Sequence, residues 1–431
     1  MTINKLDVRI IVVMFLFSYV ISDYVRTFLI SSFIHSENLQ NVNFIFIFFL
    51  FFLVLKKILS KQYNYVEFFL WIPCFLFTAI SLIFSSSKTD LFIASVFYLL
   101  PLLLLGIKVN REELKIIFSK CLTLLNTIVF ILLILGVFDY ITKGDVQLFF
   151  IRHNYFNQRI TELIFYERAG GLYRYYSFFG HPLRTSQLFL TFFILNSIFN
   201  KYFYTKLNPF VVSIITLLGV TLSNSKTGVL LALILVMFFG TVKSKKIKVF
   251  YHLLIVLALA FLITSHFFKS TVMERLTNEQ GHLSNGRFEL VQNILDGNIE
   301  RPVFVGGGLN HSIDVKNTSN SGATSFEFPI LMFSYDLGIG ATFFMFIILF
   351  IYPAIRLILH RNYYLLGLLM ILSLDVNSYN GLINIGDFMI QFSFVVFLLL
   401  NVNTYITEVY NKRFYAIRWN KPDNSRRLIT R

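Results

Sequence analysis

Five arginines, Arg152, Arg159, Arg168, Arg174 and Arg184, fall in one stretch of the chain, interleaved with Tyr155, Tyr166, Tyr173, Tyr175 and Tyr176. That stretch ends in RAGGLYRYYSFFGHPLRTSQ, residues 168–187. Gly170 and Gly171 permit tight turns, and Pro182 suits the first turn of a following helix, which puts Arg184 near that helix's start. A guanidinium there is a planar fork matched to phosphate oxygens. Each residue alone reads as an interfacial anchor; five arginines together favour an anionic ligand. Further on, SNSKTG (223–228) brings the Lys226 ammonium and several hydroxyls to a helix start, whose dipole favours an anion, although a lysine at this place also snorkels. The segment HLSNGRFELVQNIL (282–295) sets Arg287 in the first turn of a helix capped by Ser284 or Asn285. Side chain, free amides and dipole could then address one anion.

Glu327 opens a later apolar run. Facing these cations, its carboxylate would be either a base tuned by burial and charge or the ion-pair partner of an arginine. The triplet Gly306 to Gly308 reads as a flexible turn rather than a phosphate cradle, since no Walker lysine accompanies it. His181 and His311 lie 130 residues apart, with no HExxH or paired spacing, and no DxD motif is present. Zinc is not expected, nor is a carboxylate-held magnesium, so phosphate charge would have to be met by Arg and Lys.

The elements that must position these residues are membrane helices. Of 431 residues, 56% are hydrophobic and 14% charged, where a soluble domain carries about a quarter charged. The apolar blocks approach the ~20 residues that a crossing needs. They lie near 9–32, 42–55, 65–84, 90–107, 116–138, 185–200, 208–223, 227–242, 249–268, 326–353, 363–375 and 387–407. The expected fold is all-α, with about twelve transmembrane helices. Beta-barrel strands are excluded by the run lengths and the missing alternation. Cys74 and Cys121 sit inside apolar runs and offer neither a disulfide framework nor a metal site. The 52 Phe are spread through every run and read as residues that partition well into lipid.

Alternate connections divide the lysines and arginines 23 to 13, with the larger share in the short segments that include both termini. The positive-inside rule makes those segments cytoplasmic. It also accounts for the net charge of +15 without nucleic acid, since the basic tail suits anionic headgroups. The expected organisation is helices 1–5 over residues 1–138, a first long outer loop at 139–184, helices 6–9 over 185–268, a second long outer loop at 269–325, helices 10–12 over 326–407, and a basic cytoplasmic tail at 408–431. The two long loops carry the cations listed above. Long connections are where function concentrates, so the chemistry is expected at the outer membrane surface.

The order of these motifs on one face, over residues 165–345, resembles the superfamily of O-antigen and capsule repeat-unit polymerases (the Wzy type) and O-antigen ligases: Arg, Gly-Gly and Gly-His-Pro, then SNSKTG, a GR helix, GGG, and SFEFPILMFSYDLGIG. The resemblance implies a GT-C-like membrane glycosyltransferase that needs no nucleotide sugar, metal or other cofactor. Its donor would be a glycan on undecaprenyl diphosphate at the outer face of the bacterial inner membrane. Its acceptor would be a second lipid-linked repeat unit. Arg168, Arg184, Lys226 and Arg287 are the implied diphosphate ligands, Arg287 and Glu327 the catalytic pair, and His181, His311 and Tyr173 acceptor contacts. Implied partners are the undecaprenyl-diphosphate-linked oligosaccharide, the bilayer and a chain-length regulator, with no nucleic acid.

In ligases a His stands about eleven residues before the GxxG-like element. Eleven before Gly338 this chain has Glu327, which favours polymerase over ligase. A flippase would share the cargo, but it should carry ionisable residues through several spans and short loops on both sides.

Overall fold

The computed structural model describes residues 5–21, 25–26, 43–83, 95–152, 158–169, 173–242, 248–249, 251–253, 256–257, 260, 264, 287–318, 326, 328–379, 381–382 and 388–419. Among them the chain is helical and has no strand, with one isolated bridge between Tyr63 and Ile107. Three continuous helical stretches are long and apolar enough to cross a membrane: Arg111–Ile141, Gly338–Leu359 and Phe388–Val409. Five shorter apolar helices lie beside them. The chain is an all-helical membrane protein.

The helices are α1 Lys5–Phe15, α2 Asn43–Leu59, α3 Tyr65–Ile83, α4 Arg111–Ile141, α5 Asp145–Arg152, α6 Gln158–Ala169, α7 Pro182–Tyr202, α8 Pro209–Leu222, α9 Lys226–Phe239, α10 Arg287–Leu295, α11 His311–Thr318, α12 Pro329–Asp336, α13 Gly338–Phe346, α14 Tyr352–Leu359, α15 Tyr363–Asn377 and α16 Phe388–Trp419. Their starts follow local chemistry. Asn110 and Glu113 close a capping box on α4, Asn208 caps α8 ahead of Pro209, and the Ser225 hydroxyl accepts from the Gly228 N–H at the head of α9. At 31 residues α4 is roughly 46 Å long. It outruns the ~30 Å hydrocarbon layer and can carry its last turn, with Asp139, beyond it.

The first run is helical from Lys5, with a π turn over Leu16–Val20 and a bend at Ile21; of the rest of the expected run to 32, only 25–26 are among the described residues. Arg26, buried, donates to the carbonyls of Phe17 and Ile21 at 3.1 and 2.9 Å, satisfying oxygens freed where the helix ends. The fourth run is a π turn over Ser95–Leu99 and a 3₁₀ segment over Leu100–Gly106, because Pro101 has no N–H for an α-helical ladder. The tenth run breaks at Leu337, so that α12 stands apart from the crossing that begins at Gly338. Most of the expected ninth run lies outside the described residues. The first long loop contains α5 and α6, and α16 continues past residue 407 to Trp419.

The core is built around α7. Its residues 185–200 are all buried, including Phe189, Phe192, Phe193 and Phe199, and it packs against α4, α8, α9, α15 and α16. Phenylalanine thus has two uses: these four fill the interior, whereas Phe48, Phe69 and Phe238 point outward. Two asparagines on α7 are paired within the bundle. Asn196 Nδ2 donates to Asn126 Oδ1 of α4 at 2.8 Å, and Asn200 Nδ2 donates to the Leu207 carbonyl at 2.9 Å.

The two ends of the bundle differ. At one end Lys56 and Lys57 pair with Asp7 at 2.6 and 3.1 Å, Arg356 pairs with Glu67 at 3.3 Å, and Arg111 lies over Tyr405. The other end gathers the end of α4, the starts of α7 and α9, and residues 173–180; we call it the loop end.

Candidate functional site

At the loop end, the last residues of the first long loop are folded onto helix termini. Asp139, fully buried, accepts from the Tyr173 hydroxyl at 2.7 Å and from the Gln147 N–H at 2.7 Å. The Tyr173 ring stands edge-on to Tyr140. Gln147 then clamps the strand-like segment on both sides, donating to the Arg174 carbonyl and accepting from the Tyr176 N–H. Arg174 and Tyr176 share Glu167, at 2.9 and 2.8 Å.

The same segment docks on the SNSKTG turn. Tyr175 N–H donates to the Leu222 carbonyl, and Asn224 Nδ2 donates to the Tyr173 carbonyl at 3.2 Å. Asn224 is left-handed, with φ 51°. Across that turn α9 begins hard against α7: a Cβ on Gly228 would lie 2.0 Å from the Ser186 hydroxyl. Two helix N-termini, one carrying Arg184 and the other Lys226, therefore meet side by side. Their free amides and dipoles point to the same end of the bundle.

His181 caps α7, its Nδ1 accepting from the Leu183 N–H at 3.3 Å. Desolvation, and then the charges of Arg174 and Arg184, lower its pKa from the ordinary value to about 3. The imidazole is neutral at pH 7 and serves as an acceptor. Its ring lies parallel to Tyr379, 6.4 Å centroid to centroid, and the Tyr379 hydroxyl donates to Gln187 Oε1 at 2.5 Å. The Arg184 guanidinium stacks on the Phe388 ring. Below it a narrow cavity runs between α7, α15, α16 and the π turn after α1, with Gln187, Thr191, Gln391 and Tyr19 among its walls.

A second assembly joins α10, α11 and α12. Leu290, Ile294, Ile299, Val315, Phe326 and Tyr335 form a small apolar core of their own. The Gly306–Gly308 triplet is not a flexible turn. It is a backbone clasp on the break between α12 and α13, with Gly307 N–H donating to the Tyr335 carbonyl and Gly308 N–H to the Asp336 carbonyl, both at 3.0 Å. Gly306 N–H donates to the Ser81 hydroxyl of α3 at 3.0 Å, and that hydroxyl donates on to the Leu337 carbonyl at 2.5 Å. Only glycine fits: a Cβ on Gly306 would lie 2.3 Å from the Asp336 carbonyl oxygen, and Gly338 opposite has φ +87°. His311 packs its ring against Gly307, and Asp336 accepts from the Ser312 N–H at 2.8 Å to cap α11.

One consequence is measurable. Gly306→Ala is expected to cost about 1–3 kcal/mol, because the obstruction is backbone and cannot swing away. Gly297→Ala places its Cβ in open space, although φ is +79°; it should cost about 1–2 kcal/mol from the left-handed backbone alone. Thermal unfolding in detergent should show the larger drop for Gly306→Ala, and equal drops would remove the clasp as a stability element.

The loop-end site thus brings together Tyr173, His181, Arg184 and Lys226. His311 belongs to the second assembly, which adjoins the first through the packing of α12 on α15. Arg168 lies in the last turn of α6, and Arg287 is the first residue of α10. Glu327 lies outside the described residues. Among the described residues no three His, Cys, Asp or Glu side chains gather as metal ligands. Sequence reasoning passed over Asp139, Gln187, Asp375 and Tyr379. The signal was present for the two acids: each is a lone carboxylate near the end of an apolar run, and such residues are seldom idle.

These features define a membrane protein whose cationic helix starts and ordered loop segments collect at one end of an all-helical bundle. Residues 211–336, from the start of α8 to the end of α12, match the model of a family described as O-antigen ligase (Wzy_C), consistent with a member of the O-antigen polymerase and ligase superfamily. Members of that family are glycosyltransferase-like enzymes. Neither the curated proteins nor the solved structures contain a match to the chain.

Proposed function

We propose that the protein is a repeat-unit polymerase, transferring a glycan from undecaprenyl diphosphate to a sugar hydroxyl of a second lipid-linked repeat unit at the outer face of the inner membrane. The observation that carries this reading is the pairing of the α7 and α9 N-termini, with Arg184 and Lys226, the second of which lies within the family match. In the reaction the acceptor oxygen bonds to the donor's anomeric carbon, and the bond from that carbon to the diphosphate oxygen breaks with its electron pair. Negative charge grows on the diphosphate. Preorganised cations and helix dipoles aimed there stabilise that charge most in the transition state. Arg168, Arg184, Lys226 and Arg287 are assigned to this role, Glu327 to the proton of the attacking hydroxyl, and Tyr173, His181 and His311 to the acceptor. The neutral imidazole of His181 suits a hydroxyl donor better than a phosphate.

The family description favours a second reading, ligase, in which the acceptor is a completed lipid-linked core rather than another repeat unit. Glu327 at the place of the ligase His favours polymerase. Purified protein incubated with a defined lipid-linked repeat unit separates the two. A ladder of multiples supports polymerase; no ladder, with transfer to an added core acceptor, supports ligase.

Topology is open to a direct test. Cys74 and Cys121 are buried, so background labelling is low. Asn317→Cys, at the loop end, should react with an impermeant thiol reagent in intact spheroplasts, and Thr205→Cys, at the opposite end, only after lysis. The reverse pattern would overturn the outward placement of the loops and the reaction built on it.

A further inference from the structure

We infer that the end of the bundle opposite the loop end holds an anionic phospholipid, with its phosphate between Lys115 of α4 and Lys206 of the α7–α8 connection. That connection is fixed from within: the buried Asn200 accepts from the Lys206 N–H at 2.8 Å and donates to the Leu207 carbonyl at 2.9 Å. Lys206 is thereby laid across the outside of α4, its ammonium donating to the Ser119 carbonyl, to the Ser119 hydroxyl at 3.1 Å and to the Thr123 hydroxyl at 2.5 Å. The Tyr204 and Ser119 hydroxyls are 3.2 Å apart, and the Lys115 ammonium stands 5.9 Å from the centre of the Tyr204 ring. These oxygens and this ring satisfy the ammonium groups without cancelling their charge. Neither lysine has a carboxylate in ion-pair distance among the described residues.

Depth narrows the anion. Ser119 and Thr123 lie about 12 and 18 Å along α4 from its first residue, Arg111. A hydrocarbon layer of ~30 Å leaves about 16 Å of this helix to be shared between its two ends, so the Lys206 ammonium sits at or beneath the headgroup boundary. A cation there is costly without a counter-charge, and the anion found at that depth is a lipid phosphate. The face of α4 that carries Lys115, Ser119 and Thr123 continues at helical spacing through Thr127 to Phe130, Ile134 and Phe138, all four exposed. Lysines and the Tyr204 hydroxyl for a phosphate, above an apolar stripe for an acyl chain, match one molecule of phospholipid. Phosphatidylglycerol brings a net negative charge to this place, whereas phosphatidylcholine carries its own ammonium to offset the phosphate.

The lipid site is independent of the transfer chemistry, and its test reads binding. Full-length protein in detergent is titrated with phosphatidylglycerol, phosphatidylcholine or inorganic phosphate, and the rise in melting temperature is followed. For wild type we expect a saturable rise with phosphatidylglycerol, a smaller one with phosphatidylcholine and none with inorganic phosphate. Lys115→Gln should raise half-saturation by phosphatidylglycerol about 5-fold, and Lys115→Gln/Lys206→Gln about 25-fold, the usual worth of one and of two basic residues facing anionic lipid. Lys206→Arg keeps the charge and should retain most of the affinity. Lys5→Gln/Lys61→Gln removes two exposed charges from the same end of the bundle and should leave half-saturation unchanged. An equal loss in that control would make the effect one of net charge and overturn the site. So would wild-type half-saturation in Lys115→Gln, whose exposed side chain can be changed without disturbing the fold. Equal rises with phosphatidylcholine or with inorganic phosphate would overturn the anionic lipid as the ligand.

Discussion

Arg287→Ala should lower the rate of chain elongation by about 10² to 10³, the usual effect of removing one preorganised donor from a developing negative charge. Membrane abundance should stay normal, because Arg287 is the first residue of a nine-residue helix whose tie to α11 and α12 is made by Leu290 and Ile294 further along. The first residue of a helix has free amides behind it and the positive end of the dipole beneath it. On the proposed reading, a guanidinium there would add a two-pronged donor to what the helix start offers an anion. Arg287→Lys should recover only part of the rate, since a point charge cannot reproduce the fork. Elongation would be followed with a fixed amount of lipid-linked repeat unit, and wild-type product lengths from the Ala variant would remove Arg287 from the diphosphate site.

Glu327→Gln should reduce turnover by about 10² to 10⁴ while lipid-linked donor still binds, because glutamine keeps size and hydrogen bonding but cannot take a proton. If the carboxylate only pairs with an arginine, the same change should lower abundance or melting temperature and leave activity per folded molecule intact. Both quantities are measured on one preparation. Normal specific activity in the Gln variant would take Glu327 out of the catalytic assignment.

Much of the helical order was legible from the sequence. Apolar runs mark helices whether they face lipid or protein, and Pro182, Pro209 and the Asn110/Glu113 pair sign their own helix starts. What a run does inside its limits is harder to read. Nothing local announces that the tenth run parts at Leu337, because the cause is a distant segment: the carbonyls at the break are taken by amides of Gly307 and Gly308 and by the Ser81 hydroxyl. The Gly triplet misled for the same reason, since three glycines signal either freedom or close approach, and only the partner backbone decides. The helix-start positions of Arg184 and Lys226 were legible from Pro182 and the SNSKTG turn, both local signals. Gln187 was missed because its meaning depends on Tyr379, which comes near it only after α7 and α15 have packed together.

The central place of α7 has a consequence for how the chain enters the membrane. At 21 residues it is long enough to cross, yet it is not among the three helices apolar enough to do so by composition. Its Thr185, Ser186, Gln187, Thr191, Asn196, Ser197 and Asn200 are buried against protein. In lipid alone those groups would lack partners. The helix is therefore a poor membrane segment in isolation and a good one in company: Asn126 of α4 is synthesised before it and can meet Asn196 as it arrives, but the partners on α15 and α16 come much later. Biogenesis must shelter α7 at a protein surface until the C-terminal helices close around it.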